Sequence, residues 1–253
     1  MKMLTGAITP ALMLGLHTLC VVGALFSVQP VEKKFNPDDL VEVFIEQNKC
    51  NVVLGRLKDK TTIQVFGLES VPKTSVALMP GVPAELSIDG NTAFRDAKLL
   101  PDKTKIAFSI MGGHNEWSGL YEIKNKKIKQ LDVAYDSWSG NLYPSPNGKY
   151  IVENAISGAG SLIIVYNVES QEPKWIFTLD LYEFGERIRW KEGGNFHFRV
   201  YGWSKDGEKI LFQVQEEKYV KDNKENEHII SKGKNLGLWI INVNGKNLKR
   251  IGK

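Results

Sequence analysis

Tyr201 to Gln215 reads YGWSKDGEKILFQVQ: a short strand, a turn and a longer strand in one phrase. Asp206-Gly207 marks the bend, because glycine takes the positive φ of a tight hairpin at no steric cost. Beyond it Ile210, Phe212 and Val214 alternate with other residues at the period of two that a half-buried strand requires. The phrase is written twice more, as AKLLPDKTKIAFSIM over 97–111 and LYPSPNGKYIVENAI over 142–156. One hairpin would be commonplace. Three copies make a repeat.

Each copy continues in the same order. After 201–215 comes Leu236 to Val243 (LGLWIINV), apolar enough to be buried on both faces, then an Asn244-Gly245-Lys246 turn and a last strand over 247–251. After 97–111 come 119–124, an Asn125-Lys126-Lys127 turn and 128–132. After 142–156 come 161–168, a turn at 169–172 and 174–179. Upstream, 51–57, a Lys58-Asp59-Lys60 turn, 61–68 and 75–79 read as a degraded copy. Four short antiparallel strands in each unit of about 40–50 residues is the signature of a propeller blade. One such sheet cannot bury both faces, and stacked sheets can. The expected fold is therefore all-β: a β-propeller of four-stranded antiparallel blades, four or five in number, as a closed ring or an incomplete one.

GWSKDGEKILF and YPSPNGKYIV, followed by GLWIINVNG or LIIVYNVES, resemble the repeats of TolB-like propellers, which are related to the propeller domains of the prolyl oligopeptidase family. The resemblance covers about residues 97–252, and at 253 residues the chain is shorter than TolB. It implies that the first and second strands of each blade, and the third and fourth, join on one rim, while the remaining connections emerge on the other.

On that assignment the first rim holds only tight turns, namely KDG, NKK, PNG and NGK. The other holds every long segment: 111–119, 133–140, 157–160, 180–199 and 216–235. Loops on a rigid scaffold are where binding concentrates. Candidate partner-binding residues on this face are His114, Glu116, Trp117, Asp136, Trp138, Arg187, Arg189, Trp190 and His197. Tryptophan and arginine supply large contact area with a polar handle, although each of the three tryptophans also suits a gap between blades. His114 and His197 lack metal-ligand spacing, so neither a metal nor another cofactor is expected. Ser157-Gly-Ala-Gly-Ser161 joins two strands and is a turn, not a phosphate loop. Residues 216–235 mix Lys and Glu and read as a solvated hairpin tip or a docking arm.

Hydrophobic residues make up 42% of the chain and charged ones 25%, ordinary for a globular protein with a real core. The 33 Lys+Arg and 29 Asp+Glu are interspersed and form no basic stripe, which argues against nucleic acid. Residues 1–28 read as a signal peptide or an N-terminal membrane anchor, since Ala11 to Val28 is almost wholly apolar and Lys2 precedes it. Either way the remainder is extracytoplasmic, with a membrane tether through 11–28 in the anchored case. Residues 29–48 read as a linker or capping segment, in which Asn36 caps a short helix or 40–45 opens the first blade. The propeller then occupies 49–253. Cys50 is the one cysteine outside the leader and reads as a small buried hydrophobe in an apolar run.

The expected function is binding: an extracytoplasmic propeller that holds a protein, peptide or glycan on its loop-rich face. The alternative is a glycosidase-like hydrolase or lyase using loop carboxylates, for which Glu116, Asp136 and Glu186 are the candidates. A serine peptidase is disfavoured, because no Gly-x-Ser-x-Gly elbow is present.

Overall fold

A computed structural model describes residues 35–72, 92–112, 116–134, 137–157, 160–170, 175–189, 195–221, 227–230 and 235–252. The leader reading, over 1–28, lies outside them, and among the described residues no helix is long and apolar enough to cross a membrane. The chain is nearly all β. A 3-10 turn at Pro37–Asp39 leads into β1 (Leu40–Phe44), followed by β2 (Val52–Leu57) and β3 (Thr62–Gly67), which form a first antiparallel sheet. A second sheet is a meander of β4 (Ala93–Leu99), β5 (Lys105–Met111), β6 (Glu116–Glu122) and β7 (Lys127–Ala134). The third repeats it with β8 (Ser137–Pro144), β9 (Tyr150–Ser157), β10 (Gly160–Asn167) and β11 (Trp175–Leu179). A short helix, α1 (Leu181–Arg187), precedes the fourth, built from β12 (Asn195–Trp203), β13 (Lys209–Lys221), β15 (Asn235–Asn242) and β16 (Lys249–Gly252). In the fourth sheet β14 (Glu227–Ile230) pairs with the far end of β13. These stacked meanders are propeller blades.

Stacking follows from the two-sided apolar pattern. Leu40, Val53 and Phe66 of the first sheet pack on Phe94, Ile106, Phe108 and Tyr121 of the second. Ala107, Leu120 and Leu131 on the second sheet meet Leu142, Ile151, Ile164 and Tyr166 on the third. Val152, Ile163 and Val165 on the third meet Phe198, Phe212 and Ile241 on the fourth, and Phe184 of α1 closes that cluster edge-on to Phe196, Phe198 and Trp239. Polar links cross the same seams. Phe94 N–H donates to Cys50 O (2.7 Å), Leu142 N–H to Asp96 Oδ2 (2.8 Å), and Trp203 Nε1–H to Tyr143 O (2.8 Å).

Several expectations are corrected. Of the two readings of 36–45 the strand is the one formed: Asn36 Oδ1 accepts from Asp38 N–H at 3.2 Å to cap only the 3-10 turn, while Leu40 and Phe44, which a helix would have set on one side with Ile45, lie in β1 paired with β2. Cys50 is not in a strand. It sits half-buried in the turn before β2, with Sγ donating to Gln47 O at 3.0 Å. The span 133–140, expected as a loop, is mostly strand, since β7 runs to Ala134 and β8 starts at Ser137. Expected loop 180–199 contains α1, capped by Asp180 accepting from Glu183 N–H, and the first half of β12. Alternation at Phe196, Phe198 and Val200 carries β12 upstream of where the turn phrase alone suggested.

Candidate functional site

The two ends of the sheets are built differently. At one end every hairpin turn uses the same device. The side-chain oxygen of an Asp or Asn accepts the backbone N–H two residues on: Asp59 from Thr61, Asp102 from Thr104, Asn125 from Lys127, Asn147 from Lys149, Asn167 from Glu169, Asp206 from Glu208 and Asn244 from Lys246. In six of these the next residue has positive φ, namely Lys60, Lys103, Lys126, Gly148, Gly207 and Gly245. The Ser204 hydroxyl, and then Glu208 N–H, hold the exposed Asp206 carboxyl below the ordinary carboxylate range. These bonds commit Asp206 to its turn.

At the opposite end connections vary. The segment after β3 runs through 68–92 and that after β11 through 180–194, whereas 135–136 and 158–159 are two-residue links. β13 is 13 residues long and outgrows its neighbours. Its last part, Lys218–Lys221, pairs only with β14 and makes a hairpin standing beyond the sheet. The stretch at 216–235 is thus a strand hairpin at its base.

The candidate residues fall in three groups. His114, Asp136 and Trp190 lie outside the described residues. Glu116 and Trp117 open β6, and Trp138 is the second residue of β8, paired with Ile156. All three belong to strand ends, not loops. His197 is on β12, exposed, with Nδ1 3.2 Å from Ser161 Oγ of the neighbouring sheet. Arg187 is placed elsewhere. Arg187 ends α1, donates to Glu183 and to Gly245 O, and lies 5.5 Å from the centre of the Phe177 ring. That anchors it to a tight turn at the other end of the fourth sheet. Arg189 follows in a left-handed conformation, its N–H bonded to Glu186 O. Glu186 is exposed on α1, and Glu116 is in β6.

Two carboxylates that the sequence did not single out are buried. Glu153 on β9 is 2% exposed between the second and third sheets. Its Oε1 accepts Gly140 N–H (2.9 Å) and its Oε2 accepts the hydroxyls of Ser118 (2.8 Å) and Tyr166 (2.9 Å). Burial pushes its pKa up, and those three donors together with Arg95 pull only part of the way back. Gly140 is obligatory here: a Cβ would fall 1.6 Å from Asn154 O. Glu216 is 4% exposed at the loop-rich end of β13, opposite Phe196, and among the described residues its Oε2 has no hydrogen-bond partner. Their signal was a single Glu interrupting an apolar face, at Ile151-Val152-Glu153 and after Val214.

Stacked antiparallel meanders with one end of uniform turns and one of variable connections define a β-propeller. No protein-family model matches the sequence, and no curated protein matches it either. Among solved structures, TolB from Acinetobacter baumannii is similar in fold, at 10% identity over 84% of this chain and 52% of that one (TM-score 0.43). A TolB-designated protein from Agrobacterium tumefaciens is similar at 14% identity over 87% of this chain and 60% of its own (TM-score 0.44). A prolyl endopeptidase is similar at 10% identity over 83% of this chain and 32% of its own (TM-score 0.46). The chain thus spans between a third and three fifths of the length of these proteins, and the likeness concerns the β-propeller fold.

Proposed function

We propose that this protein is an extracytoplasmic binding propeller that engages a protein, peptide or glycan partner with its loop-rich end. The observation that carries the reading is the asymmetry of the two ends, and above all the β13–β14 hairpin that outgrows its sheet there. An unsupported two-stranded extension adds little to stability, so its length has a use outside the core. Glu116, Trp117, Trp138 and His197 stand at the same end. Glu216 lies there as well: a buried carboxylate oxygen without a donor among the described residues suits a cationic group brought by the partner, because an unpaired buried charge costs much. Arg187 is left out of this surface, since its bond to Gly245 O ties it to the tight-turn end.

Photocrosslinking in cells tests it. A benzophenone amino acid replacing Tyr219 or Trp117 should give a discrete crosslinked species in the envelope fraction, and the same group at Lys103 or Lys126 should give none. Equal labelling from both ends would overturn the proposal, as would recovery of the protein solely from the cytoplasm. Mass of the mature N-terminus separates a cleaved leader from an anchor.

A further inference from the structure

The second and third sheets are packed on both faces, whereas among the described residues the fourth is packed on one. Phe198, Val200, Phe212 and Ile241 face the third sheet, and the residues alternating with them face the other way. Two rows cross that outer face. Arg199, Gln213 and Leu238 lie opposite one another on β12, β13 and β15, and Leu211, Ile240 and Lys249 do so on β13, β15 and β16. Leu211, Leu238 and Ile240 belong to no buried cluster among the described residues and stay partly exposed. Tyr201, at the β12 bulge between the rows, is 49% exposed, with its hydroxyl donating to Gln213 Oε1 at 3.0 Å.

The charge on this face has one sign. Arg199 and Lys249 are exposed on opposite edges of the apolar patch, and among the described residues neither is in an ion pair. The Arg199 guanidinium lies 5.5 Å from the centre of the Tyr201 ring. The flanking rows, His197 with Gln215 and Lys209 with Asn242, bring no carboxylate to the face. Lys209 has Asp206 near it in the adjoining turn, which leaves Arg199 and Lys249 as the cations to be met. Three strand spacings set their strands about 14 Å apart. A complementary partner is therefore apolar along its middle and acidic along both sides. A helix, about 10–12 Å across, fits between the cations and leaves them wet at its flanks. A flat sheet would cover both and dehydrate them. A second copy of this face would set cation against cation, and on the first sheet Glu42 is already held by Arg56 at 2.8 Å.

We propose that the outer face of the fourth sheet docks an acidic amphipathic helix of a partner protein, its apolar stripe on Leu211, Leu238 and Ile240 and its carboxylates on Arg199 and Lys249. This surface is separate from the loop-rich end, so either assignment can fail alone. The probe is a capped peptide of about 18 residues, long enough to hold a helix, made of Leu, Ala and Glu with leucine at helical spacing and glutamate on both flanks. A control peptide carries Gln for every Glu. Added to the ¹⁵N-labelled full-length protein, the acidic peptide should shift the Leu211, Leu238 and Ile240 amides saturably. Each rim ion pair is worth about threefold, so the Gln peptide should bind about tenfold more weakly. Ile240→Thr should weaken both peptides at least about fivefold and leave the amide spectrum of β9 and β10 unchanged. Arg199→Glu combined with Lys249→Glu should reverse the preference, toward a peptide carrying Lys for Glu. Equal binding of the acidic and Gln peptides, shifts that do not saturate, or a double variant that still prefers the acidic peptide would overturn the proposal. So would a concentration-dependent dimer that Ile240→Thr abolishes, since a second copy would then be the occupant.

Discussion

Glu153 shows how a single residue makes a seam between blades polar without leaving it unsatisfied. Three donors converge on a carboxylate from β6, β8 and β10, so both adjoining sheets depend on it. Its raised pKa has a definite sign for stability. Between the ordinary value of 4.5 and the raised native value, the folded state keeps a proton that the unfolded chain has lost. The contribution is therefore full below pH 4.5 and is lost as pH rises through the native pKa. Urea unfolding of wild type and Glu153→Gln across pH 4 to 8 isolates this term. The variant keeps an acceptor for Gly140, and its advantage over wild type should grow with pH and then level off. A difference independent of pH would show that Glu153 titrates alike in the folded and unfolded chains. Gly140→Ala tests the same seam sterically. A methyl 1.6 Å from a backbone oxygen forces the strands apart, and should cost about 3 kcal/mol in a denaturant midpoint.

Elements join at turns, and turns were the most legible part of this sequence. Asp206-Gly207, Asn147-Gly148 and Asn244-Gly245 announce themselves by glycine. Lys58-Asp59-Lys60 and Asn125-Lys126-Lys127 have the same geometry but spend a left-handed lysine instead. Packing separates two of the three glycines from the lysines, whereas at Gly148 a Cβ would meet open space. A Cβ at Gly207 would meet Asn147 at 2.6 Å, and one at Gly245 would meet the Phe177 ring at 2.4 Å, so lysine is excluded there. Lys103→Gly should relieve left-handed strain and stabilise by about 0.5 kcal/mol after the loss of unfolded-state restriction, or about 1–2 °C in Tm. Gly207→Ala should destabilise by at least about 1 kcal/mol in the same thermal melt. What the sequence hid is equally physical. The period of two marks a strand's core but not its ends, so Trp117, Trp138 and His197 read as loop residues although ladders extend through them. Buried Glu153 and Glu216 were illegible because Glu153's partners lie on other strands and, among the described residues, one Glu216 oxygen has none.

On the scale of the whole molecule, burial is pairwise. One cluster joins the first and second sheets, another the second and third, a third the third and fourth, and among the described residues no cluster joins the fourth to the first. Stability should then propagate as in a solenoid, where each unit depends on its immediate neighbours. Phe66 is the strongest probe. It is stacked on Tyr121 at 4.2 Å and set edge-on to Phe94 and Phe108, and it belongs to the end interface alone. Phe66→Ala should cost that interface about 3–5 kcal/mol. Native-state hydrogen exchange should then show β1–β3 opening at low free energy, β4 and β5 weakened, and β9, β10 and β13 as protected as in wild type. Ile151→Ala, in the central cluster, should instead lower protection in the second and third sheets together. Loss in β12 to β16 on Phe66→Ala would carry a different meaning. The first and fourth sheets would then be energetically coupled, which requires a ring closed between them; confinement of the effect to one end is the signature of an arc.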